Sequence, residues 1–175
     1  LRRLPLVERR LRLNALLPRD TRRAIQFSDH YEGQGAVLFK QACAIGLEGI
    51  VSKRALSPYK SGPSKYWLKI KNVVESELIL LGTDLNNEGK PIAYLRRPEG
   101  RRGGLLYAGT AFVTLTGDAL EQLQDRIARL PSVKAAAVVP KVRQPEWVKP
   151  EILVRVRHLQ GGDTLRHAIV QGLAR

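Results

Sequence analysis

The sequence predicts an α+β chain in two parts, residues 1–74 mixing helices with a pair of short strands and residues 75–175 forming a small β-barrel with one inserted helix. Three observations predict it. Helical patterning ends before residue 47, and two β-type runs joined by loop chemistry fill residues 47–71. From Glu77 the texture changes to short apolar runs punctuated by glycine. A single capped amphipathic stretch near residues 118–130 interrupts that second texture.

Each element has its own warrant. Residues 1–17 read as a helix entered through Pro5, with Leu6, Val7, Leu11, Leu16 and Leu17 apolar and Arg9, Arg10 and Arg12 on the polar side; Pro18 closes it. Residues 25–30 read as a short strand leading into Gly33-Gln34-Gly35, and residues 36–44 as a helix with Gly46 at its C-terminal cap. His30, isolated before a glycine-containing loop, reads as a turn residue rather than a catalytic one. Beyond Glu77, strands are expected at 78–83, 92–96, 105–110, 135–139, 152–157 and 165–170. The helix between the third and fourth has Asp118 as its expected N-cap, Glu121 at N3, Leu120, Leu123, Ile127 and Leu130 at helical spacing, and Pro131 just past its end. Three strands, a helix and further strands is the connectivity of an OB-fold, a Greek-key barrel that commonly binds oligonucleotides. A tether between the two parts is expected at residues 72–75, although little glycine or proline marks it.

Charge narrows the partner. The 30 Lys and Arg against 16 Asp and Glu give +14 and a pI near 10.5 over 175 residues. That excess is more than solubility asks of a small domain and favours a polyanion. Residues 1–75 carry +9 and residues 76–175 carry +5, so the excess is no detachable tail. The one cysteine, Cys43, excludes an internal disulfide and, set between two alanines, reads as a buried inert thiol. The three histidines are scattered without zinc-ligand spacing. No apolar run approaches the ~18 residues of a membrane span and the N-terminus has no signal core, so a cytoplasmic protein without membrane contact is expected. The absence of any methionine implies a piece of a longer chain.

The chemistry concentrates in residues 47–54 and 66–71. Side chains alternate along a strand, so Trp67, Lys69 and Lys71 share one face and Leu68 and Ile70 the other. Two ammonium groups two residues apart stand roughly 6–7 Å from each other, a separation that suits one phosphate or two adjacent ones. Trp67 adds a flat apolar wall. Glu48 and Lys53 are five apart, which sends them to opposite faces unless the strand starts late or bulges; this ranks Glu48 above Lys53. The same alternation also describes a solvated edge strand fringed with lysine. In the barrel, Val154 and Val156 alternate with Arg155 and Arg157, apolar inside and cationic outside. Arg155, Arg157, Arg54 and Lys60 are therefore candidate contacts to a DNA backbone, or exposed cations that touch nothing.

Glu48-Gly49-Ile50-Val51-Ser52-Lys53 resembles nucleotidyltransferase motif IV, and Trp67-Leu68-Lys69-Ile70-Lys71 resembles motif V, of ATP-dependent DNA ligases, most closely the bacterial type built into ligase D end-joining proteins. Leu4-Pro5-Leu6-Val7-Glu8-Arg9-Arg10 resembles the segment after motif IIIa. Residues 165–175 resemble motif VI: Arg166, His167, Gly172 and Leu173 match, Ala174 replaces an arginine, and Arg155 stands where such ligases carry an acidic residue. The resemblance runs collinearly from Leu4 to Leu173. It implies the C-terminal part of a ligase, with the distal adenylation domain in residues 1–74 and an OB domain in residues 75–175. It implies a catalytic set of Glu48, Lys53, Lys69 and Lys71. Glu48 would hold Mg2+ or Mn2+, and Lys69, Lys71, Trp67 and Arg166 would bind ATP or its AMP moiety. It also implies duplex DNA with nicks or breaks as substrate, the upstream remainder of the ligase as partner, and a bacterial, nucleoid-associated location. The nucleophilic Lys-x-Asp-Gly of motif I is absent from these 175 residues. A DNA-binding OB module without chemistry, or part of an RNA ligase or capping-type enzyme, are the alternatives.

Overall fold

A computed structural model describes residues 1–17, 24–98, 107–134, 139 and 145–174. The chain divides into two compact units, Leu1–Lys71 and Asn72–Arg175.

In the first unit α1 spans Leu6–Leu16 behind an N-capping Pro5, whose fixed backbone suits a helix start. Pro18 lies outside the described residues. The helix α2 spans Gly35–Ala44 and ends in a Schellman motif: Gly46, at φ 75°, donates its N–H to Cys43 O at 3.0 Å, and Leu47 donates to Ala42 O at 2.9 Å. Residues 25–30 are irregular, not a strand, because no neighbouring segment among the described residues pairs with them. Arg10 holds them instead, donating to Ser28 O at 2.5 Å and to His30 Nδ1 at 3.0 Å with its guanidinium 4.6 Å from the Phe27 ring centre. With Nδ1 accepting, His30 Nε2 donates to Glu32 at 2.9 Å, which fixes it as an anchored loop residue. The strands β1 (Gly49–Lys53) and β2 (Trp67–Lys71) form an antiparallel hairpin. Among the described residues of this unit only Ala42 and Ser57 are buried, while Leu11, Leu16, Ile45 and Leu56 are among its large apolar side chains in solvent.

The second unit contains β3 (Val73–Leu85), β4 (Pro91–Arg96), β5 (Tyr107–Val113), α3 (Asp118–Ala128), β6 (Glu146–Trp147), β7 (Leu153–Leu159) and β8 (Ile169–Leu173). Strands β4, β5, β8, β7 and β3 are hydrogen-bonded in that order, and β3 returns to β4, so the sheet closes into a five-stranded barrel. All ladders are antiparallel except β5 with β8, which runs parallel through Phe112↔Ile169 and Val113↔Val170. This is the OB-fold expected from the sequence. Its interior is apolar, with Leu78, Leu80, Leu95, Val154, Val156 and Val170 fully buried and Leu123 of α3 packed with them. Buried His158 donates from Nδ1 to its neighbour's carbonyl, Leu159 O, at 2.9 Å, leaving Nε2 to accept from the Ser76 hydroxyl at 2.9 Å.

Several boundaries differ from the sequence expectation, each for a local reason. Residues 73–77 are not a tether: they pair with β7 from Val73↔Leu159 onward, so Asn72 alone separates β2 from β3, its carbonyl accepting from Gln160 at 2.9 Å. Gly117, at φ 57°, rather than Asp118 caps α3, and Asp118 and Glu121 fall in the first turn, where carboxylates favour the helix dipole. Strand β8 begins at Ile169, not 165, because Leu165 donates its N–H to Ala108 O at 2.7 Å over the bare Gly109 and His167 turns the chain at φ 50°. The expected strand at 135–139 lies, except for Val139, outside the described residues, as do 105–106 of the third. Strand β6 was not anticipated; Gly82 admits it, since a Cβ there would stand 2.6 Å from Glu146 O and 2.9 Å from the Trp147 ring.

Trp147 covers the outer side of β3 and β4, its ring 5.2 Å from that of Tyr94. The Tyr94 hydroxyl donates to Asp84 at 3.2 Å. Burial, reinforced by the Asp84 charge and this hydrogen bond, pushes the phenol up to about 12. A raised folded-state value favours the neutral phenol, so its stabilising share is complete below the ordinary tyrosine value of about 10 and is lost as pH rises through about 12. Burial raises Tyr107 in the same direction. Urea unfolding across this interval is expected to show falling barrel stability, with a shallower fall in Tyr94→Phe. An equally steep fall in the variant would assign the effect elsewhere.

Candidate functional site

The β1–β2 register decides which side chains meet. Gly49 stands opposite Lys71, Val51 opposite Lys69 and Lys53 opposite Trp67, and residues opposite each other share a face. Ile50 and Ile70 lie on the other face with Ser52 and Leu68. Strand β1 starts at Gly49, one residue after the exposed Glu48, so the alternation counted from Glu48 does not apply. Lys53 therefore joins Trp67, Lys69 and Lys71 on one face, with its Nζ 4.2 Å from the Trp67 ring centre. The signal that could have placed Lys53 higher was Gly49, a residue suited to opening a strand from a left-sided φ of 147°.

The loop between the strands adds to that face. A cavity of about 390 Å³ is lined by residues of the 58–64 loop together with Trp67 and Lys69, and Lys60 projects into the same lining. It brings Lys60, Trp67 and Lys69 together, along with Tyr59, which sequence reasoning passed over because a lone tyrosine in a loop carries no spacing signal. Arg54 is not among the lining residues; its N–H bonds Tyr66 O at 2.8 Å and its guanidinium lies 5.7 Å from the Tyr66 ring centre.

The barrel candidates are placed differently. Arg155 stands directly across from Glu77 and Arg157 from Glu75, so this part of the outer surface is balanced rather than cationic. The Arg166 guanidinium donates to Gly161 O at 3.0 Å within its own loop. Among the described residues no group of three or more His, Cys, Asp or Glu is gathered to hold a metal ion, and no helix is long and apolar enough to cross a membrane.

No protein-family model matches the chain. The multifunctional non-homologous end joining protein LigD of Pseudomonas aeruginosa is 32% identical over 185 aligned residues, covering 99% of this chain. The chain is similar to part of LigD and to parts of other DNA ligases. DNA ligase 1 of Korarchaeum cryptofilum is 28% identical over 159 residues, 87% of this chain. The crystal structure of the ligase domain from M. tuberculosis LigD superposes with a TM-score of 0.49 at 26% identity, over 82% of this chain and 49% of that one. The ligase-related chain spans only 22% of the Pseudomonas protein and 28% of the Korarchaeum one.

Proposed function

We propose that this chain supplies the α-phosphate-binding end of the adenylation domain and the OB domain of an ATP-dependent DNA ligase, which seals breaks in duplex DNA through lysyl-AMP and DNA-adenylate intermediates. The observation that carries the reading is the hairpin register, which puts Lys53, Lys69 and Lys71 beside Trp67 on one face; Glu48 directly precedes the first residue of β1. Protonated lysines fixed on a strand stabilise charge developing at a phosphate without reorganising during reaction. Glu48 would give one ligand to Mg2+ or Mn2+, the remainder coming from phosphate oxygens and water, which is how Mg2+ is commonly held. Such a metal offsets phosphate charge as a Lewis acid.

The covalent step needs a nucleophilic lysine that this sequence does not contain in a Lys-x-Asp-Gly setting. The chain alone is therefore not expected to adenylate itself. Its unsatisfied apolar surface and the greater length of its relatives support the upstream remainder of a ligase as partner. Duplex DNA would be held mainly by the first unit, where 15 basic residues against 5 acidic ones give +10, compared with +4 in the second from 15 against 11. Binding of this kind releases counterions and weakens steeply with salt.

The test is sealing of a nicked duplex by the ligase polypeptide that carries this chain. Lys71→Ala or Glu48→Gln is expected to lower the sealing rate by about 10²–10³-fold, the usual cost of removing one stabiliser of transition-state charge. Undiminished sealing by both variants would remove the reading. Salt-sensitive DNA binding with no sealing by the unaltered protein would instead favour a binding module.

A further inference from the structure

We propose that the cavity of the 58–64 loop is a subsite for a single nucleotide unit, one base beside one phosphate, next to the phosphate grip of Lys69 and Lys71. The proposal rests on the preceding reading of Lys69, which belongs to both. Two aromatic rings and two ammonium groups, those of Tyr59, Trp67, Lys60 and Lys69, line the cavity, and no carboxylate does. Tyr59 and Trp67 are each 44% exposed, which leaves aromatic surface open to a ligand. Each is also braced by cations: Lys53 lies 4.2 Å from the Trp67 ring centre, and Arg2 and Arg9 each lie 5.6 Å from that of Tyr59. An exposed ring beside fixed cations is the combination by which proteins take unpaired nucleotides, the base stacking on the ring and the phosphate meeting the charge.

The loop is built to hold this shape before a ligand arrives. Buried Ser57 donates from Oγ to Arg54 O at 2.7 Å, Tyr59 N–H donates to Arg2 O at 2.9 Å, and Ser64 accepts at its Oγ from Tyr66 N–H and at its carbonyl from Trp67 N–H, both at 3.2 Å. Pro58 and Pro63 restrict the backbone between those anchors, and Gly62 turns it at φ 77°. Preorganisation of this sort lowers the ordering cost of binding. At about 390 Å³ the cavity lies at the small end of ligand sites, with room for one nucleotide and not for stacked base pairs. The ligand could be a free nucleotide or an unpaired nucleotide within a DNA strand, since both present the same base and phosphate.

The chain has two tryptophans, so Trp147→Phe leaves Trp67 as its only indole and makes the cavity wall its own fluorescent reporter. This variant is titrated with AMP, with oligothymidylate and with a blunt duplex. Quenching by AMP or by oligothymidylate, weakened about 10-fold by Lys60→Ala, is the expected result. Quenching by AMP alone assigns the free nucleotide, and by oligothymidylate alone the strand. The unaltered barrel serves as a second background: there Trp67→Phe should abolish the response while leaving Trp147 in place. No quenching by either single-stranded probe, or equal quenching by the blunt duplex, overturns the subsite. Lys71 lies outside the cavity lining, so sensitivity to Lys71→Ala without sensitivity to Lys60→Ala overturns the subsite while sparing the α-phosphate site. Sensitivity to Lys60→Ala alone does the reverse.

Discussion

A fragment of residues 72–175 is expected to unfold in one sharp thermal transition, and a fragment of residues 1–71 to show none. The reason is where apolar area leaves water. The main buried cluster, including Leu78, Leu80, Leu95, Val154, Val156 and Val170, lies wholly in the second unit and is enclosed by a closed ladder. The first unit buries Ala42 and Ser57 among its described residues and leaves Leu11, Leu16, Ile45 and Leu56 more than two-thirds exposed. Ordering a chain costs roughly 1–2 kcal/mol per residue in backbone entropy, and a unit that hides so little apolar surface has no term of comparable size to set against it. Circular dichroism melts of the two fragments decide the matter. A cooperative melt of the first fragment would mean that its helices and hairpin supply stability not visible in its burial.

The second large effect is expected at Gly49. A Cβ there would stand inside contact distance of the Ile70 carbonyl oxygen and 3.0 Å from Lys71 Cα, both backbone atoms that cannot swing aside. Its φ of 147° adds strain for any side chain. Gly49→Ala should push β1 away from β2 at the Gly49↔Lys71 pair and so spoil the common face that carries Lys69 and Lys71. Affinity for AMP, read by Trp67 fluorescence in the Trp147→Phe background, should fall by about 10-fold or more, the equivalent of one strained residue. The barrel melt should not move. If AMP affinity survives, the face of the hairpin is not what holds the phosphate.

Much of the barrel was legible because its cues are local. Asp118, Glu121 and the leucines at helical spacing announced α3, a short apolar run announced β4, and alternation announced β7. What sequence could not give was pairing. Residues 73–77 look like a polar linker in isolation, yet become strand because β7 lies alongside, and residues 25–30 look like a strand yet have no partner. The same limit governed the candidate site. Trp67, Lys69 and Lys71 share a face by simple counting, whereas the membership of Lys53 depends on where β1 begins and on its register with β2. Tyr59 and Lys60 enter through the path of a loop that no periodicity describes. Arg155 and Arg157 were correctly read as outward, but the glutamates facing them come from a strand more than seventy positions earlier in the chain.

The parallel seam between β5 and β8 also bears on how the barrel comes into being. Synthesis delivers the strands one at a time, and β8 is the last of the five. Until it is made, β7 can zip onto β3 and β5 onto β4, but the edges of β5 and β7 remain bare, each a row of amide and carbonyl groups open to any passing strand. The nascent domain therefore passes through an open curved sheet whose interior leucines and valines are wet on one side. That interval is when a holdase chaperone would matter most to this protein and when two growing copies would be most prone to join edge to edge. Ile169 and Val170 end it by joining β5 to β7.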